Sequence, residues 1–419
     1  MTYSHDGYGM GHLRRNVNLA TRLVRDLRGA SVLMLGSCSS GPYFELAPGI
    51  DFIKIPSIIK VGGGAYEPSS LKISRDRVKA LRSVLIQKAA EVFQPHLLLV
   101  DHVPGGVWDE LIPTLQMLRR RAAPPVVVLG MRDITDTPEV VRQQWQREGT
   151  YELLDRYYDE VLVYGCRRLF DSAAEYGLGE RLSAGVTYCG YVASQEPPES
   201  APLRAELGIS DFEKLILVTG GGGGDAYPMM SLFLEALPLV KTRHALAPLV
   251  IAGPLMAPDQ KGMLRKQARS LGVRVLSHTP DSLSYLHAAD LVITMGGYNS
   301  LAEIVSLRKK AIVLPRVGPR AEQTMRARIF AEERLVNALQ PRDWSAPALA
   351  AHIATDLDRT DYPRRHLDVH TQGATVAVAR LRELMAMRRG NLQNVEEVRS
   401  SHLGLGRGDA RAQAVSVGA

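Results

Sequence analysis

Short apolar runs bounded by Gly, Pro, Asp or Ser alternate along most of the chain with longer stretches of helical period. Repeated strand-then-helix patterning predicts parallel strands joined by crossover helices that cover both sheet faces. In the first half the runs Ser31–Leu35, Asp51–Ile55, Leu97–Val100, Val126–Met131 and Glu160–Tyr164 read as strands. The clearest helix is His12–Leu27, with Leu13, Val17, Ala20, Val24 and Leu27 on one face. In the second half the strands are Leu215–Thr219, Pro248–Ile251, Val273–Leu276, Leu291–Thr294, Ala311–Leu314 and Leu335–Ala338. Met1-Thr2-Tyr3-Ser4 leaves only a stub where the first domain needs a central strand, so that strand is either very short or begins upstream.

Between the two series lies SQEPPESAP, where clustered proline sustains neither period. This divides the chain into a first domain (1–193), a linker (194–202) and a second domain (203–363), each a doubly wound α/β unit. A helical segment (364–389) and a tail (390–419) rich in Gly, Ser, Arg and Ala follow, and the tail is expected to be disordered. With 419 residues and 45% hydrophobic content, two globular cores fit better than one. Cys38, Cys166 and Cys189 form neither a metal motif nor an even disulfide set, which suits a reducing cytoplasm. No apolar run reaches the roughly 18 residues of a membrane span, and no signal peptide opens the chain.

A net charge of +7 permits attraction to phosphates, nucleic acid or anionic lipid. The basic residues are dispersed, and aromatic residues make up only 6%, so a nucleic-acid partner is not expected. Arg119-Arg120-Arg121 is a tight run of arginines; it reads as a solvated helix end, with contact to a membrane surface as the sharper alternative.

Candidate chemistry concentrates in Ala289–Gln323, which reads as strand, Gly-Gly turn, helix, strand and a polar loop ending in Glu322-Gln323. Gly296-Gly297 let the backbone approach a ligand, and the helix opening at Tyr298-Asn299-Ser300 aims free N–H groups at an anion. Glu303, one turn on, is placed to reach a pair of sugar hydroxyls. The alternative is a tight turn with Glu303 on a solvated face. Gly220–Gly224, between a strand and the helix opened by Tyr227-Pro228, offers five successive side-chain-free N–H groups for a diphosphate. It is neither a P-loop nor a GxGxxG fingerprint, so ATP and NAD are not expected.

At the other end, His5-Asp6-Gly7-Tyr8-Gly9-Met10-Gly11-His12 feeds directly into the first helix. Two glycines allow a tight turn from which the His12 ring can point into an interdomain cleft; the alternative is a capping or surface histidine. Asp101, at the end of an apolar strand, either pairs with His12, caps a helix opening near Val107, or ties down its own loop. His102 is a rival base.

The Ala289–Gln323 stretch resembles the donor-sugar site of GT-B glycosyltransferases, among them the family of the bacterial peptidoglycan GlcNAc transferase (glycosyltransferase family 28 C-terminal domain type). The resemblance implies two Rossmann-like domains facing across a cleft, with the final helix packing back on the first. It makes His12 the candidate base of an inverting transfer, held by Asp101. It further implies reading of uracil around His278 and Thr279, beside the diphosphate contacts at Gly220, Gly221 and Gly222 already expected from the glycine run itself. Phosphate contacts at Gly296, Gly297, Tyr298, Asn299 and Ser300, ribose binding by Glu303 and sugar contacts by Glu322 and Gln323 follow from the same match. Where that family has paired glutamines this chain has Glu322-Gln323, which bears on the sugar. UDP-sugar is then a co-substrate, with no further cofactor. The acceptor, whether glycan, lipid-linked sugar or small molecule, is not encoded in the Lys60–Tyr66 loop expected to wall it.

The one DxD, Asp356-Leu357-Asp358, lies in a helical pattern, so no catalytic metal is expected. Three rival readings remain. Gly9-Met10-Gly11-His12-Leu13-Arg14-Arg15 also fits the GxGHxxR pattern of a UDP-sugar hydrolase of the same fold. A UDP-GlcNAc 2-epimerase fits the Gly-Gly-Tyr-Asn-Ser turn less well. A nucleotide-sugar-binding regulator would keep Glu303 without needing His12. The expected location is cytoplasmic, and peripheral contact at the inner membrane face is compatible with the charge.

Overall fold

The computed structural model describes residues 1–5, 11–38, 46–61, 66–193, 201–364 and 369–402. The Gly7–Met10 part of the glycine-rich turn, most of the linker, residues 62–65 of the suggested acceptor loop and residues 403–419 lie outside the described residues.

The first sheet is seven-stranded and wholly parallel, in the order β3-β2-β1-β6-β7-β8-β9. Its strands are β1 (Thr2–Ser4), β2 (Val32–Gly36), β3 (Ile50–Lys54), β6 (Leu97–Asp101), β7 (Val126–Arg132), β8 (Glu160–Tyr164) and β9 (Gly185–Tyr188). A small antiparallel pair, β4 (Ile58–Lys60) and β5 (Tyr66–Pro68), stands apart from it. The second sheet is six-stranded and parallel, β12-β11-β10-β13-β14-β15. It comprises β10 (Glu213–Thr219), β11 (Ala245–Ile251), β12 (Arg274–Leu276), β13 (Leu291–Thr294), β14 (Ala311–Val313) and β15 (Asn337–Ala338). Its order is the 3-2-1-4-5-6 winding of a dinucleotide-type domain, which gathers strand carboxyl ends around a crevice at the point of reversal.

The stub at the chain start is a central strand of three buried residues. Tyr3 of β1 sends its hydroxyl to Glu110, which Arg82 holds through two bonds of 2.6 Å, a fully buried set behind the sheet. Ser4 is level with Asp101 of β6 in the parallel register, so the chain leaving β1 and the end of β6 open at the same place. The first helix runs Gly11–Asp26, and its buried residues are Leu13, Arg15, Asn16, Leu19, Ala20 and Leu23. The expected face is therefore rotated: Val17 and Val24 are only half-buried, while two polar residues point inward.

Two further expectations are corrected. Glu322-Gln323 do not end a loop but open a helix, Glu322–Glu332, and both are buried. The final helix spans Gly373–His402, starting later than 364 and continuing through part of the stretch expected to be disordered. It crosses back onto the first domain, where Arg380 pairs with Glu160 at 3.0 Å and Arg388 with Asp159 at 2.5 Å. One apolar cluster runs unbroken from Leu13 and Leu19 through Tyr191 and Val192 to Tyr298 and Leu301, so the domains share part of their core.

Candidate active site

The domains meet with their strand carboxyl ends facing, and two adjoining cavities lie along the seam. The smaller, about 240 Å³, is lined from the second domain by Gly220, Gly221, Gly222, Asp225, His278, Thr279, Gly297, Tyr298, Asn299, Ser300 and Gln323. Gly11, His12, Arg14, Arg15 and Arg132 close it from the first domain. The larger, about 920 Å³, belongs mostly to the first domain and includes His5, Tyr66, His102, Trp108 and Trp145. Arg316, Pro319, Arg320 and Glu322 reach into it from the second. Gly11, His12 and Arg132 line both cavities.

The glycine loop after β10 is shaped by close approach. At Gly223, with φ near +83°, a Cβ would lie 1.9 Å from the Ala252 carbonyl oxygen, so no side chain fits there. Gly296, at φ +80°, turns β13 into the helix Tyr298–Ser306. The first turn of that helix faces the cavity through Asn299 and Ser300, as an anion site at a helix N-terminus requires.

His12 and Asp101 are brought together: His12 Nδ1 makes a very short contact with Asp101 Oδ2. Arg15 Nη2 lies 2.5 Å from the other oxygen, Oδ1, and also 3.0 Å from His12 Nδ1. The carboxylate only accepts, so the tautomer with Nδ1–H donating to Asp101 is the consistent one, and Nε2 is the nitrogen free to take a proton. Burial alone would raise the Asp101 carboxyl, but the charges of Arg15 and His12 outweigh it and hold the group well below the usual carboxylate range. Asp101 caps no helix near Val107; that segment is turns, and the next helix begins only at Ile112. His102, the rival base, sits 5.5 Å from His12 between ring centroids, and burial pushes its imidazole well below the ordinary range. His5 joins them at 5.4 Å from His12 and is pushed down to about 3 by burial and by His12.

Other expected residues fall in less direct positions. Glu303 is buried outside the lining of the smaller cavity, and its carboxylate takes Arg14 Nη1 at 3.3 Å. Burial raises its carboxyl against the opposing pull of Arg14. Tyr298 turns its ring into the interface, where its hydroxyl accepts from the Val192 amide at 3.1 Å. Gly296 sits behind the lining, with its carbonyl 3.4 Å from Arg326. Glu322 faces the larger cavity while Gln323 faces the smaller. Arg316 bridges Glu322 (2.9 Å) to Asp225 of the glycine loop (2.8 Å).

Sequence reasoning met Arg15 only as the arginine of the GxGHxxR pattern and passed over Arg132, Asp133 and Arg326. Arg326 and Asp133 form a buried interdomain ion pair at 2.7 Å. Arg132, at the end of β7, has a buried Nε without a partner, and burial lowers its guanidinium to about 10. The sequence signal was available: Arg132-Asp133 directly ends an apolar strand, the position that faces the crevice in this fold. Among the described residues no cluster of His, Cys, Asp or Glu is arranged to hold a metal ion.

Two facing, doubly wound domains with a cleft site of this kind define the GT-B class, and solved structures agree on the fold. Acinetobacter baumannii MurG superposes with a TM-score of 0.55 at 14% identity, covering 93% of this chain and 99% of that one. A putative UDP-N-acetylglucosamine 2-epimerase from Listeria monocytogenes gives 0.57 at 13% identity, covering 99% of both chains. Within that class, residues 215–366 match the Glycosyltransferase family 28 C-terminal domain. The UDP-N-acetylglucosamine--N-acetylmuramyl-(pentapeptide) pyrophosphoryl-undecaprenol N-acetylglucosamine transferase of Bacillus cytotoxicus is 25% identical over 219 residues, 52% of this chain and 57% of that protein. The chain spans about half the length of the curated relatives it matches.

Proposed function

We propose that the chain is a metal-independent, inverting glycosyltransferase that moves a sugar from a UDP-sugar, UDP-GlcNAc or a related hexose donor, to a hydroxyl acceptor. One observation carries this reading: His12, held from behind by the buried Asp101, lies on the wall common to two cavities, one framed by the glycine loop and the helix N-terminus. The donor occupies the smaller cavity, with its diphosphate at Gly220–Gly222 and at the turn Gly297–Ser300, and its base near His278 and Thr279. The acceptor enters the larger. His12 Nε2 takes the acceptor hydroxyl proton while that oxygen attacks the anomeric carbon and the bond to the diphosphate breaks. UDP leaves with the electron pair, stabilised by backbone N–H groups, the helix dipole and Arg132. Arg14 must share Glu303 with a ribose or yield it.

The test is product analysis with a panel of nucleotide sugars and an extract of acceptors, comparing wild type with His12→Ala and His12→Gln. Transfer that survives loss of the imidazole would overturn the base assignment. UDP-sugar consumption at the same rate with and without acceptor would assign hydrolysis instead. UDP binding without any turnover would assign a regulator.

No helix among the described residues is long and apolar enough to cross a membrane. Peripheral contact with a lipid surface is supported by exposed Leu81, Val84, Leu85 and Val92 on the helix Arg75–Phe93. Vesicle flotation of wild type against Val84→Glu tests it, with loss of flotation expected.

A further inference from the structure

Arg15 is 2% exposed on the inward face of the first helix. A buried guanidinium without a counter-charge is strongly unfavourable, so its contacts indicate why it stands there. Nε and Nη2 both hold Asp101 Oδ1, at 3.2 and 2.5 Å, while the second carboxylate oxygen takes His12. Its cationic carbon lies 5.6 Å from the ring centre of Tyr164, on the first sheet, and 5.5 Å from that of Tyr298, in the second domain. The guanidinium is thus shared between the domains, one tyrosine ring from each.

Tyr298 is itself fixed. Its hydroxyl accepts from Val192 at the domain crossing, and its ring contacts Tyr191 at 5.8 Å and Arg326 at 5.8 Å. It opens the helix that follows the Gly296-Gly297 turn. Around it the first helix docks twice more on the second domain: Asn299 donates to the Gly11 carbonyl at 2.9 Å, and Arg14 reaches Ser282 at 3.0 Å. An unbroken line of contacts therefore runs from the turn through Tyr298, Arg15 and Asp101 to His12.

We propose that Arg15 is a positioning residue that makes the base conditional on the docked second domain: Tyr298 holds Arg15, Arg15 holds one oxygen of Asp101, and the other oxygen orients His12. This rests on the reading of His12 as the base. Arg15 does two things through Asp101. It fixes the carboxylate plane, and so the ring behind it, as outer partners of a functional histidine do. It also shares the carboxylate charge that faces the imidazole, since its guanidinium holds Oδ1 while His12 meets Oδ2. A domain that swings away takes Tyr298 with it and leaves the guanidinium supported from one side.

The experiment compares Arg15→Gln, Arg15→Lys and Tyr298→Leu with wild type in the intact chain. Histidines labelled with ¹⁵N are titrated by NMR, with the His12 signals identified by their loss in His12→Gln. The expected result for Arg15→Gln is a His12 titration, and an acid limb of kcat/KM, that no longer coincide with those of wild type, because the carboxylate beside the ring has lost its counter-charge. Arg15→Lys, which keeps charge but loses the fork, should lower kcat about tenfold or more with donor KM within about twofold, because orientation rather than donor affinity is lost. Tyr298→Leu, which touches neither Asp101 nor His12 but borders the donor turn, should lower kcat as well, whatever it does to donor KM. A folded Arg15→Gln protein with the wild-type titration, or Tyr298→Leu with wild-type kcat, overturns the proposal. Should Arg15→Gln fail to fold, the other two variants still decide it. If wild type consumes no nucleotide sugar, the proposed function fails while the NMR titrations, which need no turnover, still report on the relay.

Discussion

Replacing Arg326 by leucine should destabilise the protein and loosen the donor turn together. Arg326 is fully buried on the helix Glu322–Glu332 of the second domain. Its fork holds both oxygens of Asp133 at 2.7 to 3.2 Å, donates to the Ile134 carbonyl at 3.1 Å, and reaches the Gly296 carbonyl at 3.4 Å. Removal strands Asp133, whose side chain then keeps, among the described residues, the Tyr191 hydroxyl (3.0 Å) and the Ile134 amide (2.7 Å). Breaking one side of a buried pair costs about 3–5 kcal/mol. The two surviving hydrogen bonds place the expected cost near the lower end, about 3 kcal/mol, a large share of the 5–15 kcal/mol typical of a folded domain. Urea unfolding can follow the domains separately, since Trp108 and Trp145 lie in the first and Trp344 in the second. Arg326→Leu should separate transitions that coincide in wild type, and weaken UDP binding through the freed Gly296 carbonyl. A cycle with Asp133→Asn should give a coupling energy of at least about 2 kcal/mol. Coupling below about 0.5 kcal/mol, with coincident transitions retained, would refute the view that this pair latches the domains.

Three further outcomes follow from the same geometry. Gly223→Ala should weaken UDP at least about tenfold in calorimetric titration, because the new methyl collides with the Ala252 carbonyl and the loop must open; unchanged affinity would remove the loop from the donor site. His5 titrates near 3 when folded against ~6.5 unfolded, so the unfolded chain binds a proton the fold excludes in that window. Stability should therefore fall as pH drops from about 6.5 toward 3, by up to about 1.4 kcal/mol per pH unit from this group, and His5→Asn should flatten the slope of urea midpoints between pH 4 and 7. Chelation with EDTA should leave sugar transfer within about twofold, and loss restored by added Mg²⁺ would replace the dipole-based account of the leaving group.

Much of this was legible in the sequence because two periods, that of a buried strand and that of a crossover helix, alternate without interruption. Glu160–Tyr164 and Leu291–Thr294 are strands at the bounds their apolar runs predict. β9 escaped notice because Gly185-Val186-Thr187-Tyr188 is an edge strand that is never fully buried and so carries no apolar run. His12 and Asp101 were recoverable because one follows a strand end and the other finishes the adjacent strand. What periodicity cannot reveal is a charge turned inward. Arg326 looks like a solvated helix position, and Arg15 like a motif position without a stated task, until a counter-charge from another part of the chain is seen beside each. Glu303 shows the converse, since its spacing suggested a ligand contact while its nearest partner is Arg14 of the other domain.

The wall common to the two cavities has a kinetic meaning. His12 lines both chambers, so on the proposed reading, with donor alone bound, a water in the larger chamber would have the same line of approach as an acceptor hydroxyl. Transfer and hydrolysis then differ only in which oxygen reaches the imidazole first, and the ratio of the two products measures how fully the acceptor fills its chamber. A poor acceptor should reveal itself by free sugar released on every turnover that it misses.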